Sequence, residues 1–503
     1  MLFVSGVFLL YFLPTVLIGY RLLSRFGRRA SLLWLIAASL FFYGYTSPRF
    51  VLLLLGSILF NYLLGLALAR TRETRLGSFL FWMSLALNLG LLAFYKYLPA
   101  ITQSLHRNGV IGFQLPALAL PLGISFFTFL QIGYMVDISQ GTAEPASLLN
   151  YSFFVSFFPH LISGPIVNHK EIMPQLAPER SLRLNADDML LGFTWFTLGL
   201  AKKLLIADGI ADVPNAAFSN FQHLDALSAW LGLLMYSMQL YFDFSGYTDM
   251  AIGLARIFGF RYPYNFNSPL KATNITDFWK CWHMSLTRFL NGYLYNPISI
   301  SINRHRMKSG KVIGRKALAT PSGFFVVLAL PTLLTMLAIG VWHGAGLQYA
   351  LFGLVHGCYL CIYPTWRVFP IRARVDQFFG RLLRPFSVGL TYLSVILGFA
   401  IFRSESVPAA MYYLADLFGK HGWHGAGHPV AFTLYLLVLY PIVWFLPNTQ
   451  EILGESPTQL FEQPALRWLR WKPNYAWAVA TGLLCLLSLF FAGQTQAFLY
   501  FKF

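Results

Sequence analysis

Acidic side chains are scarce in this chain. Nineteen Asp and Glu stand against 37 Lys and Arg in 503 residues, and charged residues of both signs amount to only 11%. A water-soluble protein of this length could not cover its exterior with so little charge and so much apolar surface. Cysteine is rarer still, and four copies exclude a disulfide scaffold. Cys281 and Cys485 are isolated, while Cys358 and Cys361 form a C-x-x-C inside an apolar helical pattern. A redox pair belongs at an accessible helix start and a structural zinc needs further ligands, so packing is the reading for all four. No solenoid-type repeat is visible. The longest water-compatible stretches, 167–188, 257–324 and 404–430, lack the apolar alternation of an independent soluble core.

What the chain has is hydrocarbon: 57% hydrophobic residues and a mean hydropathy of +0.58, which together indicate a polytopic membrane protein. About 20 apolar residues cross a bilayer. Candidate spans begin near Phe3, Ala30, Val51, Gly77, Leu118, Leu190, Leu227, Leu328, Ala345, Leu390, Ala431 and Trp477, roughly a dozen crossings. The first is not read as a cleavable signal peptide, because Arg21, Arg25, Arg28 and Arg29 follow the apolar stretch instead of leading it. The net charge of +18 fits the positive-inside rule. Arg21 to Arg29 and Arg70, Arg72 and Arg75 are separated by two spans, which places both in the cytoplasm and the N-terminus outside. The basic loop 304–316 is expected on the cytoplasmic side as well. Nucleic-acid binding, the rival reading of such charge, has no basic face or recognition motif behind it.

Two Trp-His pairs carry most of the chemical information. Trp282-His283 opens a polar, aromatic stretch, and Trp342-His343-Gly344 interrupts an apolar run. An ionisable side chain at membrane depth is costly enough to suggest function, and imidazole is the side chain best suited to moving a proton near neutral pH. Asn274 followed by Asp277 reads as an N-cap, starting a helix on which Trp279, His283, Leu286 and Leu290 recur at helical spacing. The plain alternative is an interfacial helix anchored by Trp279 and Trp282, with His283 bonded to a carbonyl. Upstream, Asp243, Ser245 and Asp249 end an apolar run. Asp249 and Arg256 are seven apart on one helical face, which suggests a structural ion pair. Residues 265–269 read as a turn. Pro159, Gly164 and Pro165 break the apolar segment 157–165, which is expected to wall an internal cavity, since broken backbone in a membrane needs protein or water around it. The pentapeptide Trp-His-Gly-Ala-Gly recurs at 423–427 among His421, His424 and His428, in a Gly-rich loop without the apolar surroundings of His343. The first copy is the better catalytic candidate, and no carboxylate or cysteine pattern supports a metal at the second.

The runs Tyr241-Phe-Asp-Phe-Ser-Gly-Tyr-Thr-Asp-Met-Ala-Ile-Gly-Leu-Ala-Arg256, Asn265-Phe-Asn-Ser-Pro269, Thr276-Asp-Phe-Trp-Lys-Cys-Trp-His283 and Val341-Trp-His-Gly-Ala-Gly346 resemble the membrane-bound O-acyltransferase family. The branch they resemble is that of the alginate O-acetyltransferase membrane subunit. Phe158-Pro-His-Leu-Ile-Ser-Gly-Pro-Ile166 and Ala201-Lys-Lys-Leu-Leu-Ile-Ala-Asp208 fit the same branch. After Tyr295 this chain departs from it: the branch continues with proline, leucine and paired glycines, here replaced by Asn296-Pro-Ile-Ser-Ile300. The changed loop loosens the link to alginate as acceptor and leaves the histidine pair intact.

The resemblance implies an all-α membrane domain spanning residues 1–503, with tilted, partly broken or re-entrant helices around a reaction chamber and its catalytic centre at about 150–360. It implies His343 as the catalytic histidine and His283 as the second active-site histidine, with Trp342, Trp279, Trp282, Asp243, Ser245, Asn274 and Asp277 as chamber-lining or substrate-binding candidates. The expected reaction moves an acetyl group from a cytoplasmic thioester, acetyl-CoA or an acyl carrier, to hydroxyls of an extracytoplasmic polysaccharide such as alginate or a cell-wall glycan. No tightly bound cofactor and no metal is expected. Expected partners are membrane lipids, the acyl donor, an extracytoplasmic acetyltransferase and polysaccharide-export machinery, in the bacterial inner membrane. The competing readings are a transporter or flippase for a lipid-linked saccharide, which would also use broken helices, and transfer of D-alanyl or longer acyl groups.

Overall fold

The computed structural model describes the chain apart from residues 117, 180–181, 369, 424–429, 456–466, 495, 497 and 500–503, and apart from the side chains of 315, 367–382, 430–432, 467 and 494. Among the described residues regular structure is helical, and the extended pairing is one isolated antiparallel bridge, Phe266 to Trp282. Each of the twelve expected crossings begins at or near a helix. Among the described residues, six helical segments are long and apolar enough to span a bilayer: Val7–Phe26, Arg49–Thr71, Arg75–Lys96, Ala186–Ala207, Pro321–His343 and Leu383–Arg403. Ile124–Ser139, Thr433–Phe445 and Tyr475–Phe490 are shorter apolar helices. The protein is an integral membrane protein.

The chain forms two compact units. The first comprises Met1–Leu204, Ser245–Tyr264 and Lys472–Thr495. Its helices are joined by buried amides. Asn61 Nδ2 donates to Gln131 Oε1 at 2.8 Å, and Asn88 Nδ2 donates to Asn61 Oδ1 at 2.7 Å, tying Arg49–Thr71, Arg75–Lys96 and Ile124–Ser139 together. With no water in the bilayer to satisfy them, such groups must pair across helices. Two glycines on Ala186–Ala201 cross two on Ala226–Ile257. A Cβ added at Gly199 would lie 2.5 Å from the Gly246 carbonyl oxygen, and one at Gly253 would lie 2.6 Å from that of Gly192. Seven-residue spacing on both helices puts each pair on one face, so the backbones touch along two turns.

Asp249 and Arg256, expected to pair with each other, each bond to a neighbouring element. Asp249 Oδ2 accepts from Lys202 Nζ at 2.6 Å and Asp249 Oδ1 from the Trp195 indole N–H at 3.1 Å, while Arg256 Nε lies 2.8 Å from Asp188 Oδ1. Seven residues of helix separate the two groups by about 10 Å along the axis, and the neighbouring helix reaches each of them first. Segment 157–165 is packed core. His160 Nδ1 stands 2.6 Å from the Tyr262 hydroxyl and Nε2 2.9 Å from the Phe154 carbonyl oxygen.

The second unit comprises Leu205–Phe244, Asn265–Trp471 and Gln496–Phe503. Its centre is a tight hairpin of the helices Leu330–His343 and Leu347–Val368. Gly340 and Gly353 permit the approach, since a Cβ at either would collide with backbone of the opposite helix. The long helix Pro370–Arg403 follows, and Tyr413 on Val407–Leu417 donates to the Ala229 carbonyl at 2.8 Å. Of the four thiols, all free, Cys281 and Cys361 are buried and Cys485 is half-buried. Cys358 is exposed, so packing does not account for it.

Candidate active site

The single helix expected to carry both Trp279 and His283 is broken in two, Ile275–Cys281 and Met284–Leu290. Between them Trp282 is extended (φ −103°, ψ 126°) and His283 is left-handed (φ 45°, ψ 52°). The cause is the segment 265–267, which competes for the backbone. Asn267 N donates to the Cys281 carbonyl at 3.0 Å, Met284 N donates to that of Asn265 at 2.9 Å, and Phe266 bridges Trp282. A left-handed residue other than glycine costs about 1–2 kcal/mol, which the pairing must offset. The N-cap is as expected: Asn274 Oδ1 accepts from Asp277 N at 2.9 Å.

His283 is buried, with the Phe244 ring edge-on at 4.8 Å. Asn265 Oδ1 accepts from Ser285 N at 3.2 Å and from Ser285 Oγ at 2.5 Å, and lies 3.4 Å from His283 Nδ1. Burial pushes the His283 imidazole down to about 3, so it is neutral at ordinary pH. His343 is the last residue of Leu330–His343 and half-buried. Gly344 follows because the Tyr349 ring lies where a side chain would project. The His343 ring meets Phe402 edge-on at 5.0 Å and Trp342 at 4.9 Å.

Both histidines line one cavity, walled otherwise by Leu240, Phe244, Trp279, Trp282, Leu286, Phe352, Phe399 and Phe402. It is an apolar chamber whose polar side chains are two imidazoles and two indoles. In so apolar a space a proton transfer or a developing charge is poorly screened and strongly felt. A second cavity adjoins it through the shared wall of Trp279, with Thr276, Lys280, Thr287, Tyr295, Thr332 and Thr335 among its polar lining.

Of the sequence candidates, Trp279 and Trp282 line the chamber. Trp342 is buried just behind it, its ring 6.2 Å from that of His283. Asp243 Oδ2 instead accepts from Leu499 N at 2.8 Å. Ser245 is buried on the same helix as Asp243 and is not a lining residue. Asn274 and Asp277 are engaged in the helix cap, where Asp277 also pairs with Lys280 at 2.9 Å. His424 and His428 lie outside the described residues; His421 Nδ1 is 2.8 Å from Asp416 Oδ1. No group of three His, Cys, Asp or Glu among the described residues is placed to hold a metal ion.

Reading the sequence missed Phe352, Phe399, Phe402 and His356. The last accepts from the Trp279 indole N–H at 3.3 Å through Nδ1 and packs on Phe352 at 4.5 Å. An ionisable residue within the apolar helix Leu347–Val368 was the available signal.

A family model, described as MBOAT, membrane-bound O-acyltransferase family, matches residues 38–314. The chain belongs to the membrane-bound O-acyltransferase family. It is 31% identical, over 100% of its length and 98% of the relative's, to the peptidoglycan O-acetyltransferase of Helicobacter pylori. It is 36% identical to the "Probable alginate O-acetylase AlgI" of Pseudomonas aeruginosa, over 84% of this chain and 76% of that one. The teichoic acid D-alanyltransferase of Bacillus subtilis is 30% identical over 48% of this chain and 58% of its own. The family-model match includes His283, and the full-length alignment to the H. pylori protein takes in His343 as well. As a membrane-bound O-acyltransferase the protein is an enzyme, and these relatives are named for acetyl or D-alanyl transfer.

Proposed function

We propose that this enzyme transfers an acetyl group from a thioester, acetyl-CoA or an acylated carrier, towards hydroxyl groups of an extracytoplasmic polysaccharide, with the whole chain serving as one catalytic module. The observation that carries the reading is the placement of His283 and His343 on a single apolar cavity. The relatives support acetyl over other acyl groups, since relatives aligned over 100% and 84% of the chain are named for O-acetylation. The acceptor is either an alginate-type exopolysaccharide or a cell-wall glycan.

In this reading His343 is the general base. It takes the proton of the acceptor hydroxyl as that oxygen attacks the thioester carbonyl. The tetrahedral intermediate then collapses, the carbon–sulfur bond breaks, and the thiolate leaves with the proton carried by His343. His283, neutral and fixed by its backbone, positions a reactant by accepting a hydrogen bond through its unprotonated ring nitrogen. The aromatic walls exclude water, which would otherwise hydrolyse the thioester. The chain sits in the inner membrane with its N-terminus outside, draws donor from the cytoplasm, and hands the acetyl group to an extracytoplasmic acetyltransferase working with polysaccharide export.

The deciding experiment reconstitutes the purified protein in vesicles with [14C]acetyl-CoA and soluble glycan acceptors, alongside mass spectrometry of surface glycans from cells with and without the gene. Histidine-dependent loss of thioester is expected in the vesicles, and gene-dependent glycan O-acetyl in the cells, where the extracytoplasmic partner is present. Saccharide translocation that survives loss of both histidines would replace the proposal with transport.

A further inference from the structure

The helix Asn296–Lys308 is unusual in this chain: none of its residues is buried. Ile300 and Met307, 58% and 61% exposed, are seven apart and share its outer face. Arg304, four beyond Ile300, and Lys308, eight beyond it, flank the same stripe. The chain then folds back on the helix. Arg306 Nε donates to the Val312 carbonyl at 3.0 Å, and Gly314 N donates to Asn303 Oδ1 at 3.2 Å. The return strand thereby sets Val312 and Ile313, both exposed, beside Lys311. No Asp or Glu occurs anywhere between Asp277 and Asp376. The span Pro321–His343 starts five residues after Lys316, so the hairpin lies next to a membrane entry point.

A purely solvated helix has no reason to expose Ile300, Met307, Val312 and Ile313 together. A helix packed on protein would bury some of them. Apolar side chains interleaved with arginine and lysine suit a third environment, the boundary between acyl chains and phosphates, where the stems pack on lipid and the charged heads reach outwards. We propose that residues 296–316 form an interfacial hairpin that lies on the anionic lipid headgroups of the leaflet from which it emerges. Charge complementarity selects anionic lipid over zwitterionic lipid, since each Lys or Arg near such a surface adds attraction that decays within a Debye length.

The test places the full-length protein in nanodiscs of pure phosphatidylcholine or of phosphatidylcholine with 30% phosphatidylglycerol, and follows trypsin cleavage between Arg304 and Lys316. Cleavage in the anionic discs is expected to be slower by at least about tenfold, with the difference shrinking at high salt. Ile300→Ser with Met307→Ser should abolish the protection while leaving the protein monodisperse, because these side chains touch no core. Equal cleavage in both lipids overturns the proposal. So does protection in phosphatidylcholine discs that appears only on adding a soluble acidic acyl carrier protein, which would make the hairpin a protein-docking surface instead.

Discussion

Asn265 Oδ1 stands 3.4 Å from His283 Nδ1, and this contact fixes which nitrogen is the acceptor. The amide oxygen is identified by the Ser285 backbone N–H that donates to it at 3.2 Å, and an amide oxygen can only accept. In the neutral imidazole Nδ1 therefore carries the proton, leaving Nε2 with the lone pair. His283→Gln keeps a hydrogen-bonding amide of similar reach, whereas His283→Ala removes it. Gln should retain substantially more activity than Ala if His283 orients a reactant, and the pH profile of kcat/KM between 5 and 8 should be unchanged in the Gln variant, because the histidine is already neutral there. Equal inactivity of the two variants with normal folding, or an acylated His283 trapped during turnover, would point to a covalent or proton-carrying role.

Asn265 itself can be tested through the same geometry. Asn265→Ala removes the acceptor for Ser285 and the neighbour of Nδ1 while leaving the backbone bond from Met284 N in place. We expect kcat to fall roughly tenfold to a hundredfold with a smaller change in donor KM, the pattern of a lost positioning contact. A change confined to KM would show that Asn265 serves binding.

His343→Ala should lower kcat by about a hundredfold to ten-thousandfold, since general-base catalysis contributes two to four orders of magnitude. His424→Ala, in the duplicated pentapeptide, should retain most activity. The two variants share a sequence context, and His343 is the copy that lines the aromatic chamber described above, so a reversed result would reassign the active copy. Thermal unfolding in detergent checks that neither loss is a folding failure.

The membrane class, the N-cap at Asn274 and the pairing of His283 with His343 were legible in the sequence because each rests on a short-range rule or a motif. The break at His283 was not. Helical spacing of Trp279, His283 and Leu286 is a local signal, and the competing bonds come from 265–267, which only tertiary structure brings alongside. The same limitation hid the Lys202 partner of Asp249, which lies on a neighbouring element. Aromatic lining residues such as Phe399 and Phe402 carry no sequence signal at all among 48 phenylalanines.

Stability should fall in acid for a definable reason. Burial pulls His160 down to about 4 and His283 to about 3, below the 6.5 of an unfolded histidine. Above pH 6.5 both are neutral folded and unfolded, and they exact no penalty. Below it the unfolded chain takes up protons that the folded chain refuses, so stability drops as pH falls towards 4, by about 1.4 kcal/mol per pH unit for each histidine. Unfolding in detergent at pH 7.5 and 5 should show the decline, and His160→Gln should reduce its slope. An unchanged slope would mean that other groups dominate acid sensitivity.

The glycine crossing in the first unit offers a packing test remote from the histidines' chemistry. A Cβ at Gly246 would lie 2.7 Å from the Gly199 carbonyl oxygen and 3.1 Å from Lys202 Cβ and Lys203 N. Backbone cannot rotate away as a flexible side chain would, so the two helices must separate. Gly246→Ala should cost about 1–3 kcal/mol, and Gly246→Val should cost more, because its branched side chain extends further into the same contact. The separation would also lengthen the Lys202–Asp249 bond, 2.6 Å in this structure, which forms three residues along the helix from Gly246. A graded fall in melting temperature from Gly to Ala to Val is the expected result. A Gly246→Ala protein as stable as the parent would show that the crossing is looser than the structure places it.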